Sequence, residues 1–488
     1  MSPIIYAIEK IANRHPDKTA VIGEEYSLTY RQLLIEVTKL GVYLEVYRGK
    51  IIALLADNCP EWVIIDLAAQ RAGAILLPLP VYFTKQQIDH ALQSANAEVL
   101  IYQTDALPDD FIIPTVSETR SFLNESLNLL GGPFGDAGSL PVGTDKITFT
   151  SGSTGTPKGV CLSNQQQFNV ANSLISVTGL MAPRHLTALP LSTLLENIAG
   201  VYAPLMAGGE VILLPVGQQR LLENLNDRQP QTLILVPELL VALVSAITRG
   251  WQPPKSLKFI AVGGSRVAAD LIYRARRFGL PVYEGYGLSE AGSVVSLNTV
   301  KTDKPGSAGK ILPHLKVNIE HAEIVIKNSG FLGYIGDAAN ADKKLYTGDL
   351  AELDERGFLT VKGRKKQLII SSFGRNINPE WVESEIRVNP IIQQCIVVGD
   401  ARPFCSALIY TQIDNKTVQK HIDMVNQTLP PYAQVLRWHR LAQPISYQQG
   451  LLTSNGRPRR AVINQYFANV IDDFYEEENN GILCKNAG

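Results

Sequence analysis

The run Phe149-Thr150-Ser151-Gly152-Ser153-Thr154-Gly155-Thr156-Pro157-Lys158-Gly159-Val160 packs hydroxyls, glycines and one lysine into a single loop. Ser and Thr side chains and free backbone N–H groups donate hydrogen bonds. Glycines let the backbone approach a ligand closely, and Lys158 adds a positive charge. Such a loop suits a phosphate chain. Upstream, Ile147 and Phe149 alternate with polar residues, which predicts a strand. Downstream, Ser163 is a cap for a helix predicted from Asn164 to Val177. The run is not a Walker loop, because Lys158 is followed by glycine and then by Val160. A Ser/Gly-rich surface turn is the bland alternative, but so long a run between strand and helix signals favours phosphate.

Working outward, strand-length apolar runs alternate with helical patterns: Ile51–Ala56, Glu61–Ala72 and Ala74–Leu79, then Thr232–Val236, Lys258–Val262, Ala268–Phe278 and Pro281–Glu284. This alternation predicts an α/β fold whose large N-terminal domain, 1–362, has mostly parallel sheets with flanking helices. Ligands in such folds sit where strands end in turns. Beyond about residue 300 short strands dominate, and helices fit Pro379–Arg387, Asn415–Leu429 and Pro458–Phe474. A small α+β C-terminal domain, 368–488, follows, with the charged stretch 363–367 between the two.

The chain has 488 residues, 45% of them hydrophobic and 19% charged, enough for more than one core. A net charge of −1 and the absence of any long basic run argue against nucleic acid or an anionic membrane as partner. The stretch Val63–Leu79 is interrupted by Asp66, Gln70 and Arg71, so no transmembrane segment is expected. The five cysteines are scattered without metal-ligand spacing, which points to a reducing, cytoplasmic setting and a passive Cys161 thiol.

The loop resembles the phosphate-loop signature of the adenylate-forming superfamily of acyl-CoA synthetases, peptide-synthetase adenylation domains and luciferases. Five further stretches and Thr29-Tyr30 fit that resemblance. Gly263-Gly264-Ser265 is similar to the adenine-side turn. Tyr283-Glu284-Gly285-Tyr286-Gly287-Leu288-Ser289-Glu290 is similar to the second nucleotide motif, which implies Tyr286 and Gly287 at the adenine, Ser289 at the α-phosphate and Glu290 on magnesium. Tyr346-Thr347-Gly348-Asp349 resembles the ribose motif, with Asp349 accepting from both ribose hydroxyls. Gly363-Arg364-x-Lys366 resembles the hinge, with Arg364 also reaching the ribose and the small domain rotating between half-reactions. Ser371–Glu380 resembles the loop that enters the site for thioester formation. By the same resemblance Thr150, Ser151, Gly152, Ser153, Thr154, Gly155 and Lys158 would hold the β/γ-phosphates.

Two positions depart from the pattern. In Gly456-Arg457-Pro458-Arg459-Arg460, Arg457 stands where the family carries a lysine that bridges substrate carboxylate and nucleotide. Arginine keeps the charge but is bulkier and planar. Thr193, in Leu189-Pro190-Leu191-Ser192-Thr193, replaces a histidine. His185 reads as ordinary structure rather than a substitute.

The implied reaction uses ATP, Mg2+ and coenzyme A or a phosphopantetheine arm. A small-molecule carboxylic acid becomes acyl-AMP and then a thioester, with Lys158, Glu290 and Arg457 as the catalytic set. The 184–195 region holds no Asp or Glu to meet an amino group, and Pro379-Glu380-Trp381-Val382-Glu383 is reminiscent of long-chain acyl-CoA synthetases. Both favour a fatty or similar acid. Two alternatives stay open: a ligase loading an acyl carrier protein in trans, and a degenerate nucleotide-binding protein without full activity.

Overall fold

The structure is a computed structural model that describes residues 2–108, 110–111, 119–122, 127–135, 139–150, 157–216, 220–337, 344–453 and 456–476. Ser151, Gly152, Ser153, Thr154 and Gly155 lie outside the described residues, as does Cys484.

Two large sheets and a smaller one build the N-terminal part. In the nine-stranded sheet the strands Val282–Leu288, Phe259–Val262, Thr232–Leu235, Arg184–Leu186, Glu210–Ile212 and Thr19–Ile22 run parallel, and antiparallel strands close both edges. In the eight-stranded sheet Lys146–Thr150, Ile75–Pro78, Ile51–Leu55 and Val99–Tyr102 are parallel, again with antiparallel neighbours. The sheets are therefore mixed, where the strand–helix alternation predicted largely parallel ones. The parallel centre follows from composition: Ile51–Leu55 and Thr232–Leu235 are buried along their whole length, as strands covered on both faces must be.

The helix Pro60–Ala72 shows the same logic. Pro60 opens it, Gly73 ends it at φ 73°, and between them residues on every face are buried, so it is a core helix. Thr29 caps the helix Tyr30–Tyr43 in a reciprocal pair with Gln32, and the buried Tyr30 hydroxyl donates to the carbonyls of Leu205 and Gly209 at 3.0 and 2.8 Å. The Thr29-Tyr30 element thus joins a helix start to the second half of the domain.

Two elements at the nucleotide motifs go beyond the sequence reading. Lys158–Leu162 is a further strand, antiparallel to Lys146–Thr150 with Thr150 opposite Lys158, and it stands between the loop and the next helix. That helix, Asn164–Thr178, begins behind its Ser163 cap as the sequence predicts. Val160, Cys161 and Leu162 form a continuous buried run, which lacks the alternation that marks a half-exposed strand. The strand predicted to end at Glu284 continues to Leu288 because Gly285 and Gly287 let Ser293–Leu297 pair closely beside it. A Cβ at Gly287 would lie 1.6 Å from the Ser293 carbonyl oxygen.

The C-terminal unit packs Pro379–Ile386 and Asn415–Asn426 on the sheet Gln394–Val398, Cys405–Tyr410, Val435–Arg440. The long helix predicted over Pro458–Phe474 is instead two, Arg460–Tyr466 and Ala468–Asp473, broken at Phe467. The break turns Ile471, Phe474 and Tyr475 onto Ile396, Val398 and Leu408. Among the described residues no helix is long and apolar enough to cross a membrane, and Cys59, Cys161, Cys395 and Cys405 are free. Burial pushes the Cys161 thiol up to about 11, which fits an unreactive role.

Candidate active site

A cavity of about 1080 Å³ opens at the ends of the parallel strands and along the seam between the two parts of the chain. Its polar end gathers residues from five separate motifs. Thr150 ends one strand of the antiparallel pair and Lys158 begins the other, directly opposite it. Gly263, Gly264 and Ser265 follow the strand Phe259–Val262; Gly264 has φ 89°, where a side chain would be strained. A Cβ at Gly263 would lie 3.2 Å from the Gly285 carbonyl oxygen, so the turn presses against the neighbouring strand. Ser289 and Glu290 begin a short turn of 3-10 helix directly after Leu288.

Asp349 is the hub behind the lining residues Tyr286 and Arg364. It is buried in the strand Lys344–Leu353, following Gly348 at φ 72°. Its Oδ2 accepts from the Tyr286 hydroxyl at 2.7 Å and its Oδ1 pairs with Arg364 Nε at 3.0 Å. Burial raises the Asp349 pKa, and Arg364, Tyr286 and Arg457 oppose that rise. Burial, then the Asp349 charge, hold Tyr286 well above the usual tyrosine range, so its hydroxyl is a fixed donor. Tyr286, Asp349 and Arg364 therefore form one cluster, each from a different motif. A carboxylate has further lone pairs beyond those two bonds.

Glu290 meets a partner that the sequence reading did not single out. The Tyr334 hydroxyl donates to Glu290 Oε1 at 2.8 Å, and Lys158 Nζ lies 5.2 Å from the centre of the Tyr334 ring. Tyr334 thus stands between the expected catalytic lysine and carboxylate, an aromatic face to one and a hydroxyl to the other. Gln166 holds the same turn, donating to the backbone carbonyls of Glu290 and Ser329 at 3.1 and 2.8 Å. No local pattern marks either residue; only the pairing of Gly333-Tyr334 with Val160-Cys161 brings Tyr334 here.

Arg457 crosses the seam. Its Nη2 donates to the Gly264 carbonyl at 2.5 Å. Arg457 is solvent-exposed at the cavity, but desolvation by the surrounding protein lowers its pKa first, Arg364 lowers it further, and Glu380 and Asp349 oppose them. Three residues later Arg460 makes a two-pronged pair with Glu383, at 2.9 and 2.8 Å, and Glu383 also accepts from Val397 N at 2.8 Å. That pair fixes the segment carrying Arg457 to the helix Pro379–Ile386. So the Pro379–Glu383 run serves as an anchor in space, and its Glu380 and Glu383 also line the cavity. Across the same seam Arg387 pairs with Glu238 at 2.6 Å and Arg274 Nη1 donates to the Val388 carbonyl at 3.1 Å. In this arrangement Arg457 points in, while Phe373 in the 371–378 loop is 75% exposed.

At Thr193 the side chain hydrogen-bonds the Tyr82 hydroxyl, a contact that partly offsets the upward push of burial on Tyr82. Both line the cavity, whose other end is apolar, with Leu174, Ile175, Leu194, Leu195 and Ala199.

These features coincide with a known family. Residues 8–330 match the AMP-binding enzyme family, and residues 366–479 match the AMP-binding enzyme C-terminal domain. The chain belongs to the AMP-binding enzymes and is of the acyl-CoA synthetase type. It is 30% identical over 429 residues to a feruloyl-CoA synthase of Amycolatopsis sp, covering 80% of this chain and 84% of that one. It is 24% identical over 559 residues to the long-chain-fatty-acid–CoA ligase FadD15 of Mycobacterium bovis, covering 91% of each. Among solved structures, an anthranilate CoA ligase, AuaEII, in complex with anthranoyl-AMP shares the fold, with a TM-score of 0.79 at 18% identity over 95% of this chain and 96% of that one.

Proposed function

We propose that the chain activates a carboxylic acid with ATP to an acyl-AMP and then transfers the acyl group to coenzyme A, the acid being fatty or of a similar largely apolar kind. The carboxylate attacks the α-phosphate and pyrophosphate leaves; the thiol then attacks the acyl carbon and AMP leaves. No group on the enzyme becomes covalently attached. Alignment and charge neutralisation supply the rate.

The observation that carries this reading is the Tyr286–Asp349–Arg364 cluster joined to Arg457 at the mouth of an apolar cavity. Asp349 and Arg364 would hold the ribose, Tyr286 and the Gly263–Ser265 turn the adenine, and Ser289 the α-phosphate. Thr150 and Lys158, with the loop between them, would hold the departing phosphates. The family implies magnesium. Among the described residues no group of three or more His, Cys, Asp or Glu forms a cage. Magnesium commonly arrives on nucleotide phosphates and takes one or two carboxylates, and Glu290, held by Tyr334, fits that donor set. When bound, the ion would neutralise the phosphate oxygens. The residues 363–367 would serve as the hinge. Names of the relatives favour coenzyme A over a carrier protein as acceptor, and they range from fatty to aromatic acids.

Hydroxylamine trapping of acyl-AMP across a panel of fatty and aromatic acids tests the reading, followed by coenzyme A with each acid that responds. Trapped product and its conversion to acyl-CoA are expected. ATP binding without product from any acid would overturn the proposal in favour of a nucleotide-binding protein.

A further inference from the structure

We propose that the acid cavity ends in a buried specificity cluster, Thr232–His185–Glu196, which selects acids whose tail carries a neutral hydrogen-bonding group. The inference rests on the acid–CoA ligase reading and adds the substrate class.

The cavity follows two parallel strands, Thr232–Leu235 and Phe259–Val262, for their full length. Val236, Gly263 and Gly264 stand at the nucleotide end, where Arg457 reaches the Gly264 carbonyl. Thr232 stands at the other end, in register with both Phe259 and His185. From Val236 to Thr232 the descent is about 13 Å at ~3.3 Å per strand residue. The helix Asn164–Thr178 and the stretch 194–207 supply apolar walls along the way. An acid with its carboxylate near Arg457 would extend its tail toward Thr232.

What waits there is polar. His185 is 2% exposed and Glu196 is 0% exposed. His185 Nδ1 lies 2.9 Å from Thr232 Oγ1, and Nε2 lies 2.8 Å from Glu196 Oε1. Burying such groups is costly, and an apolar end would serve a plain alkyl tail better. Both ring nitrogens are engaged, but a hydroxyl offers one donor and two acceptor positions, and His185 uses only one of them. Thr232 lines the cavity, so its remaining capacity faces the tail. The site is also built to admit the pair: a Cβ at Gly200 would lie 2.4 Å from Glu196 Oε1 and 2.7 Å from His185 Nε2. Gly200 belongs to the seven-residue π-helix Glu196–Tyr202, a rare form that is frequent at functional sites. A second carboxylate would have to be buried there without a cation of its own, which leaves a hydroxyl or carbonyl as the fitting tail.

The test compares straight-chain acids from octanoic to dodecanoic with their ω-hydroxy and ω-carboxy counterparts, by acid-dependent AMP release in the presence of coenzyme A. The wild type should prefer the ω-hydroxy acid at the best chain length by roughly fivefold to tenfold in kcat/KM, the effect of one hydrogen bond. The ω-carboxy acid should be slowest. Thr232→Val should erase the preference while still turning over the unsubstituted acid, and Thr232→Ser should keep it. Equal kcat/KM for hydroxylated and plain acids at every length, or a preference that survives Thr232→Val, would overturn this inference and leave the ligase reading standing. No activation of any acid, aromatic acids included, would overturn both.

Discussion

Replacing Arg457 with alanine separates the two half-reactions. The side chain is the described cation that reaches from the C-terminal unit to the adenine-side turn, through its bond to the Gly264 carbonyl. It also lies close enough to Arg364 for the two positive charges to oppose each other, with Asp349 and Glu380 offsetting them. Two guanidiniums held together with room between them suit an anionic ligand. A hydrogen bond from a charged donor is worth about 1.5–3 kcal/mol, which is roughly a 10-fold to 150-fold effect. ATP–pyrophosphate exchange with an activated acid should fall by that factor in Arg457→Ala. Transfer from synthetic acyl-AMP to coenzyme A should stay near wild type, because that step no longer needs the phosphate side. Arg457→Lys should keep much of the exchange, losing the fork but not the charge. Exchange equal to wild type in Arg457→Ala would remove the residue from the mechanism. An equal loss in both half-reactions would show that it serves only to hold the structure.

Other perturbations have equally specific outcomes. Glu383→Gln strips the charge from the buried pair with Arg460 and should cost the C-terminal unit about 3 kcal/mol in urea unfolding, with the double change of both residues to leucine recovering part of it; no loss in the single variant would contradict the anchoring role. Lys146→Met leaves Asp66 buried beside Asn197 and Tyr202 without its cation, and should destabilise the N-terminal part by about 3–5 kcal/mol in the same measurement. Gly287→Ala places a methyl against the Ser293 carbonyl and should abolish nucleotide binding by calorimetry, even if folded protein is recovered. Burial holds Glu284 at about 7 against the opposing Gly306 N–H, Arg276 and Arg266. The folded state then binds the extra proton, so stability declines as pH rises from about 4.5 to about 7, by at most about 1.4 kcal/mol per unit. Glu284→Gln should flatten that slope in pH-dependent urea midpoints; an unchanged slope would assign it elsewhere.

The residues proposed to hold the nucleotide were legible because they are written in local chemistry. Gly264, Gly287 and Gly348 stand where the backbone needs φ above zero or a close approach, and Tyr286, Asp349 and Arg364 carry the polar groups beside them. Those requirements act within a few residues, so spacing along the chain records them. The antiparallel strand Lys158–Leu162 escaped notice because its buried run Gly159–Leu162 shows no alternation, and the break at Phe467 because it answers to the core it covers. Tyr334, Gln166 and the His185–Glu196 pair carry no local mark at all. Their roles arise only when strands and helices distant in sequence pack together, since hydrogen bonds and burial depend on distance in space. The sequence by itself determined the family and the residues of the Tyr286–Asp349–Arg364 cluster; tertiary packing alone brought Thr232, His185 and Glu196 together.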